Sequence, residues 1–259
     1  MPRRSEPDIS YFELQAYVGT TKHMGGFATT QELLARCPID KDTAILEIGC
    51  GVGATSCYLA QKHGCHVVGV DLRESMIDRA NERARDLALT DLVEFRIADA
   101  TKLPFEDERF DIVFCESVAS FIRDKQHVAN EFARVSKRGG YVGLNEEIWL
   151  NLPPDKIAEQ VKFIWDTDLE VVTVKAWRTF LANAGLQDLW IKVYAFDARR
   201  EATQLKRYRL VDTWLMLWRT LCLYIQSPAF RTYMKTHRKL PKDTFQYLGY
   251  ALFLGKKSN

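Results

Sequence analysis

The sequence predicts an α/β protein, a doubly wound and mainly parallel sheet with helices on both faces. Three observations carry this. Short apolar runs alternate with helical patterns between about residues 42 and 148. The first three runs stop at a glycine cluster, at Asp71 and at Asp99. The helices between them are long enough for right-handed crossovers that return the chain in a parallel strand.

Ala44 to Ile48 reads as a buried strand closed by glycines, and Ala54 to His63 as a helix capped by Gly64. His66 to Val70 is a second strand ending at Asp71. Ser75 with Asp78 three residues on suggests a capping box, and its helix carries Met76, Ile77, Ala80, Ala84 and Leu87 on one face. Val93 to Ile97 is a third strand ending at Asp99, and Phe110 to Cys115 a fourth. Val128 to Val135 is helical, with Gly139 and Gly140 before a fifth strand at Tyr141 to Leu144. After Pro153 and Pro154 the pattern loosens. A helix over Trp177 to Ala184 with Gly185 behind it, a strand at Trp190 to Phe196, helical residues 199–238 and a last strand at Gln246 to Leu254 complete seven strands. The 259 residues read as one domain: a helical cap over 1–41, a core over 42–150, and a half over 151–259. Insertions at 151–176 and about 197–240 are expected to cover the ligand-binding edge of the sheet.

A hydrophobic fraction of 47% with 27% charged residues excludes a disordered or fibrous chain. The net charge of +2 gives no ground for expecting nucleic acid as a partner. From Arg199 onward, however, thirteen Lys or Arg face three Asp or Glu, a net +10, against −8 before it. Cysteines 37, 50, 57, 65, 115 and 222 form no CxxC pair, and no apolar segment follows the charged start. Free thiols and a cytoplasmic location are the expectation.

Glu47-Ile-Gly-Cys-Gly-Val-Gly53 follows the first strand and opens a helix. Glycines at 49, 51 and 53 let the backbone bend sharply and let a ligand approach it at a helix N-terminus. Gly49, Gly51 and Ala54 also satisfy GxGxxA, so a dinucleotide stays open here. Asp71, at the end of strand two, suits the paired hydroxyls of a ribose in an NAD or an adenosyl ligand alike.

With Val70-Asp71, Ala98-Asp99-Ala100, Leu103-Pro-Phe105, Phe110-Asp-Ile-Val113 and Arg134 to Gly140 added, the chain resembles the class I S-adenosylmethionine-dependent methyltransferases, in the branch acting on small molecules. The matching residues span about 44–146, and Arg138 stands where that family often has proline. The resemblance implies a seven-stranded Rossmann-like sheet with helical lid insertions and S-adenosylmethionine as cofactor. It implies that Gly49, Gly51 and Gly53 make room for methionine and ribose. Glu47 would hold the ammonium, and Asp71 the ribose hydroxyls. Leu72 and Met76 would lie against the adenine, Asp99 would accept from its amino group with Ala100 beside it, and Glu116 would sit near the sulfonium. His23-Met-Gly-Gly-Phe27, before an expected helix at Thr30 to Cys37, resembles a stretch that closes over the methionine arm.

Methyl transfer from a sulfonium is an in-line displacement for which the protein mainly positions the acceptor and excludes water. Where the acceptor must lose a proton, Glu116, Glu146, Glu147 and His23 are the candidate bases. His63, His66, His127 and His237 read as structural or solvent-facing, and no metal site is expected. The insertion holds Trp214 to Trp218, Leu221 to Ile225, Phe230, Tyr233 and Phe245, flanked by Arg207, Arg209, Arg219, Arg231, Lys235, Arg238 and Lys239. It is open to three readings: a chamber for an apolar or anionic acceptor, a peripheral contact with an anionic membrane surface, or plain core; the acceptor itself is expected to be small and hydrophobic or aromatic. The alternatives to methyl transfer are an NAD-dependent oxidoreductase, a catalytically silent cofactor-binding subunit, and a membrane-surface lipid or quinone methyltransferase.

Overall fold

The computed structural model describes residues 10–165, 169–236 and 242–259. His237, Arg238 and Lys239 therefore lie outside the described residues. In chain order the elements are α1 (Tyr11–Val18), α2 (Gly26–Leu34), β1 (Ala44–Ile48), α3 (Ala54–His63), β2 (His66–Asp71), α4 (Glu74–Asp86), β3 (Val93–Ile97), β4 (Phe110–Glu116), α5 (Lys125–Val135), β5 (Ser136–Trp149), α6 (Asp155–Trp165), β6 (Val172–Thr173), α7 (Val174–Asn183), β7 (Leu186–Ala195), α8 (Ala198–Glu201), α9 (Leu210–Gln226), α10 (Pro228–Thr236) and β8 (Leu248–Lys257). Short 3-10 segments lie at Ala119–Phe121, Ala202–Arg207 and Lys242–Gln246.

One sheet runs β3-β2-β1-β4-β5-β8-β7, with the two-residue β6 beside β5 off that path. The first five strands are parallel, and β8 is antiparallel to both neighbours. The seven-strand path agrees with the expected doubly wound, Rossmann-like sheet. An eighth strand of two residues leaves no periodic trace in a sequence.

Alternation within single strands builds two cores. In β1 and β4, Leu46, Ile48, Val113 and Cys115 join Phe132 and Trp177 on one face. Ile45, Ile112 and Phe114 join Leu59, Ile77 and Phe95 on the other. Apolar residues on both faces are what a sheet covered by helices on each side requires. Burying each large side chain contributes roughly 1.5–3 kcal/mol.

Four local expectations are corrected. α4 begins at Glu74, with Arg73 as an N-cap that makes no side-chain cap, and the Ser75 hydroxyl is buried without a partner among the described residues. The capping box fails because Asp71 already takes the Arg73 N–H at 3.0 Å and turns the chain early. α2 begins at Gly26, four residues before the expected Thr30, after Gly25 at φ 79°. β5 runs from Ser136, with Gly139 at φ 69° inside it, beside a shift of register against β4.

The fourth correction concerns the aromatic insertion. Trp214, Leu217, Trp218, Leu221 and Ile225 are 50–67% exposed, so they line no chamber and form no core. α9 buries Met216 and Leu223 and turns its charges inward: Asp212 pairs with Arg83 at 3.3 Å, and Arg219 donates to the Val18 carbonyl at 3.1 Å. Once the polar residues are spent on the cap, the apolar ones are left outside. Phe230 is buried against Leu14, while Phe245 stacks on Phe196.

Candidate functional site

Strand order reverses between β1 and β4, and open α/β sheets bind ligands at such a switch point. A cavity of about 60 Å³ lies there. Glu47, Gly49, Gly51, Asp71, Met76, Glu116 and Ser117 line it from the sheet side, and Thr21, Lys22, His23 and Arg207 from the cap and lid. Small-molecule sites usually offer roughly 300–1,000 Å³, so this conformation is closed to a ligand of nucleoside size. A larger groove, about 430 Å³, runs past the end of β5 against α7. Among the described residues that line it, Lys175 alone is ionisable, so the chemistry belongs to the smaller cavity.

The bend after β1 is folded back by N–H groups of Gly49 and Cys50, which donate to the Val70 carbonyl at 2.8 and 2.9 Å. Gly49 and Gly51 sit at φ 71° and 50°. A Cβ on them would meet Val118 at 2.1 Å and Thr21 at 2.3 Å. A side chain is thus excluded twice, by conformation and by space. Gly53 does a different job: it caps α3, and its Cβ would strike Phe95 and Ala80, so it serves helix packing outside the cavity lining.

Two carboxylates flank the bend. Asp71 takes the Gly51 N–H on one oxygen and the Arg73 N–H on the other, both at 3.0 Å, while burial pushes its pKa up. Glu47 accepts from the Ser56 hydroxyl, and burial pushes its carboxyl up to about 8. It is therefore largely protonated at neutral pH in this closed state.

At the other end, Thr30 donates to both oxygens of Glu116 at 3.0 Å, and His23 Nε2 lies 3.7 Å from Glu116. Burial lowers the His23 pKa, so the ring is neutral at neutral pH. The Asn145 amide donates to the Met24 carbonyl at 2.8 Å and lies 3.3 Å from His23 Nδ1. β4, β5 and the His23 loop thus bring Glu116, Asn145 and His23 together.

Glu146 does not join them. Its carboxylate faces the opposite side of the sheet, fully buried, and accepts from Val118, Ala119 and Ser120 N–H groups at 2.9–3.2 Å and the Ser120 hydroxyl at 2.7 Å. Expected as a base beside the acceptor, it instead anchors the turn after β4, because strand alternation sends neighbours to opposite faces. Glu147 points back the other way. One of its oxygens is buried with no hydrogen-bond partner among the described residues, and burial raises its pKa.

Three of the remaining named positions stand outside the cavity lining. Leu72 is 64% exposed on the rim. Asp99 is exposed, its carboxylate holding the Thr101 N–H and hydroxyl at 2.8 Å, and Ala100 is buried beside it. His63 closes α3, His66 opens β2, and His127 lies 2.6 Å from the Thr101 carbonyl. Among the described residues no cluster of three metal-ligating side chains occurs.

From sequence Arg207 stands only among the basic residues flanking the insertion. It reaches from the lid to donate to Thr55 Oγ1 and the Thr21 carbonyl at 2.9 Å, and its Nε is buried without a partner among the described residues. Gln204 donates to the same carbonyl at 2.7 Å, and the Thr21 N–H donates to the Tyr208 hydroxyl at 3.1 Å. No local spacing signals a contact made across more than 150 positions.

The chain matches the family model described as a methyltransferase domain over residues 46–144. Phosphoethanolamine N-methyltransferase 1 of Arabidopsis thaliana is 32% identical over 175 residues, covering 68% of this chain and 34% of that protein. The chain thus spans about a third of the length of the plant relatives it matches. Among solved structures, Haemonchus contortus phosphoethanolamine N-methyltransferase 2 in complex with S-adenosyl-L-methionine aligns with a TM-score of 0.74 at 19% identity, over 95% of this chain and 57% of that one. The cyclase SpnF aligns with a TM-score of 0.73 at 18% identity, over 95% and 92%. These likenesses concern the fold, which hosts more than one chemistry. The NAD-dependent oxidoreductase left open by the glycine turn finds no support among them.

Proposed function

Because the chain belongs to the class I S-adenosylmethionine-dependent methyltransferases of the small-molecule branch, we propose that it transfers a methyl group to a small acceptor at the Glu116 end of the cavity. The observation that carries this is the glycine bend held between two carboxylates, with Asp71 bonded to Gly51 and Glu47 buried across from it.

The donor set fits the cofactor. Gly49 and Gly51 leave backbone exposed to a ligand, and the free lone pairs of Asp71 suit ribose hydroxyls. Glu47 would hold the ammonium of the methionine arm. The unpartnered Arg207 Nε is a buried donor suited to its carboxylate. Leu72, Asp99 and Ala100 would lie beside the adenine once the cap opens, with Met76 of the cavity lining beneath it. S-adenosylmethionine supplies an already activated methyl, so the protein contributes position, dryness and, where needed, a proton acceptor.

The acceptor end is polar: Glu116 and neutral His23 line it, with Asn145 bonded behind them. That supports an acceptor with an amino or hydroxyl group more than the apolar one expected from the aromatic insertion. His23 is then the group placed to take a proton from it. We further propose that residues 1–259 act as one catalytic domain, and that it works in the cytoplasm, where its six free cysteines stay reduced.

Mass spectrometry of small molecules released from the purified protein tests the reading. Co-purified S-adenosylhomocysteine, with calorimetric binding of that compound and none of NADH, is the expected result. NADH binding without S-adenosylhomocysteine binding would refute it.

A further inference from the structure

Helix α9 carries its apolar residues on the outside. Leu210, Trp214, Leu217, Trp218, Leu221 and Ile225 are 50–91% exposed. At 3.6 residues per turn they fall within an arc of about 100°, a continuous stripe about 22 Å long. The two charged residues of the helix, Asp212 and Arg219, are held on its inner side by Arg83 and the Val18 carbonyl. Trp214 and Trp218 stack parallel, centroids 6.0 Å apart, and stay open to solvent. Folded chains seldom leave so long an apolar stripe uncovered without a use for it.

The rim of the stripe says what covers it. Exposed Lys206 and Arg209 stand just before its N-terminal end, and Arg231 and exposed Lys235 lie on α10, just after its C-terminal end. The chain from Arg199 onward carries a net +10, against −8 before it. A second copy docked stripe to stripe would bring these basic ends together in either orientation. An anionic bilayer meets both features at once, apolar residues entering the acyl boundary and lysines or arginines resting on headgroups. Indole rings suit that boundary, with an apolar body and one polar N–H.

We propose that the outer face of α9 is a peripheral docking surface for an anionic lipid bilayer, lying in its interface and not crossing it. No helix among the described residues is long and apolar enough to span a membrane. The inference stands on the exposed face alone and is independent of the methyl-transfer reading.

The test is co-sedimentation of the full chain with extruded vesicles of phosphatidylglycerol and phosphatidylcholine, and with phosphatidylcholine alone. The parent chain should pellet with the anionic vesicles, and added salt should weaken this. W214S/W218S/L221S and K206E/K235E should each lower the binding at least about tenfold, with far-UV circular dichroism unchanged. Tryptophan fluorescence of the parent should shift to the blue on binding and be quenched by brominated lipid, a readout that needs no variant. A chain that stays in the supernatant, or shows no such shift, overturns the proposal. So does a dimer by sedimentation velocity that the triple substitution abolishes while vesicles are ignored, which would give the stripe to a second copy.

Discussion

The Asp71 carboxylate accepts the Gly51 N–H at 3.0 Å, so the tip of β2 holds the bend that follows β1. Asp71→Ala removes this bond together with the acceptor for a ribose. Affinity for S-adenosylhomocysteine should fall by about 2 kcal/mol or more, roughly 30-fold. Calorimetry on the folded variant checks this, and unchanged affinity would contradict the ribose assignment.

Gly51→Val places a β-branched side chain at φ 50° and drives its Cβ to within 2.3 Å of Thr21. The bend lies outside the sheet ladder, so far-UV circular dichroism should keep most of its amplitude while cofactor binding is lost. Full binding by this variant would show that the bend does not face the ligand.

Glu47 keeps its proton up to about pH 8 in the folded chain, against an ordinary value of 4.5. Between those limits the unfolded chain binds fewer protons, so stability falls as pH rises through that window. Burial pushes Glu146 and Glu147 in the same direction. Each such group contributes a slope of up to about 1.4 kcal/mol per pH unit. Urea unfolding from pH 5 to 8 should therefore show a shallower decline in Glu47→Gln than in the parent. An identical slope would mean that Glu47 ionises freely in the fold.

The same group makes cofactor binding pH-dependent. An ammonium beside Glu47 lowers its pKa, so binding at pH 7 should release protons, and affinity should rise from pH 6 to 8. Calorimetry in two buffers of different ionisation enthalpy measures that release. Proton uptake would place the ammonium elsewhere.

A cavity of about 60 Å³ admits a nucleoside only after Thr21, Lys22 and Arg207 draw back. Hydrogen exchange over residues 19–25 and 202–209 should therefore be faster without ligand and slow on adding S-adenosylhomocysteine. Arg207→Ala, which frees Thr21 and Thr55, should speed exchange there in the unliganded chain. Equal exchange with and without ligand would mean that the cap is not the gate.

By itself the sequence determined the parallel core and the tips of its strands. Those features are local: a run of apolar residues, a glycine bend and an aspartate at a strand end are each written within a few positions. Gly49, Gly51 and Asp71 are legible for that reason, whereas Glu47 and Glu116 are singled out only through the resemblance to a known family. Tertiary structure alone decided which way side chains face across elements remote in the chain. Glu146 and Glu147 are adjacent in sequence yet serve opposite faces, Gly53 packs against Phe95, and Arg207 reaches Thr55 from the lid. The apolar face of α9 turned outward because Arg83 and the Val18 carbonyl claimed its charges, a competition between distant partners that no local pattern records.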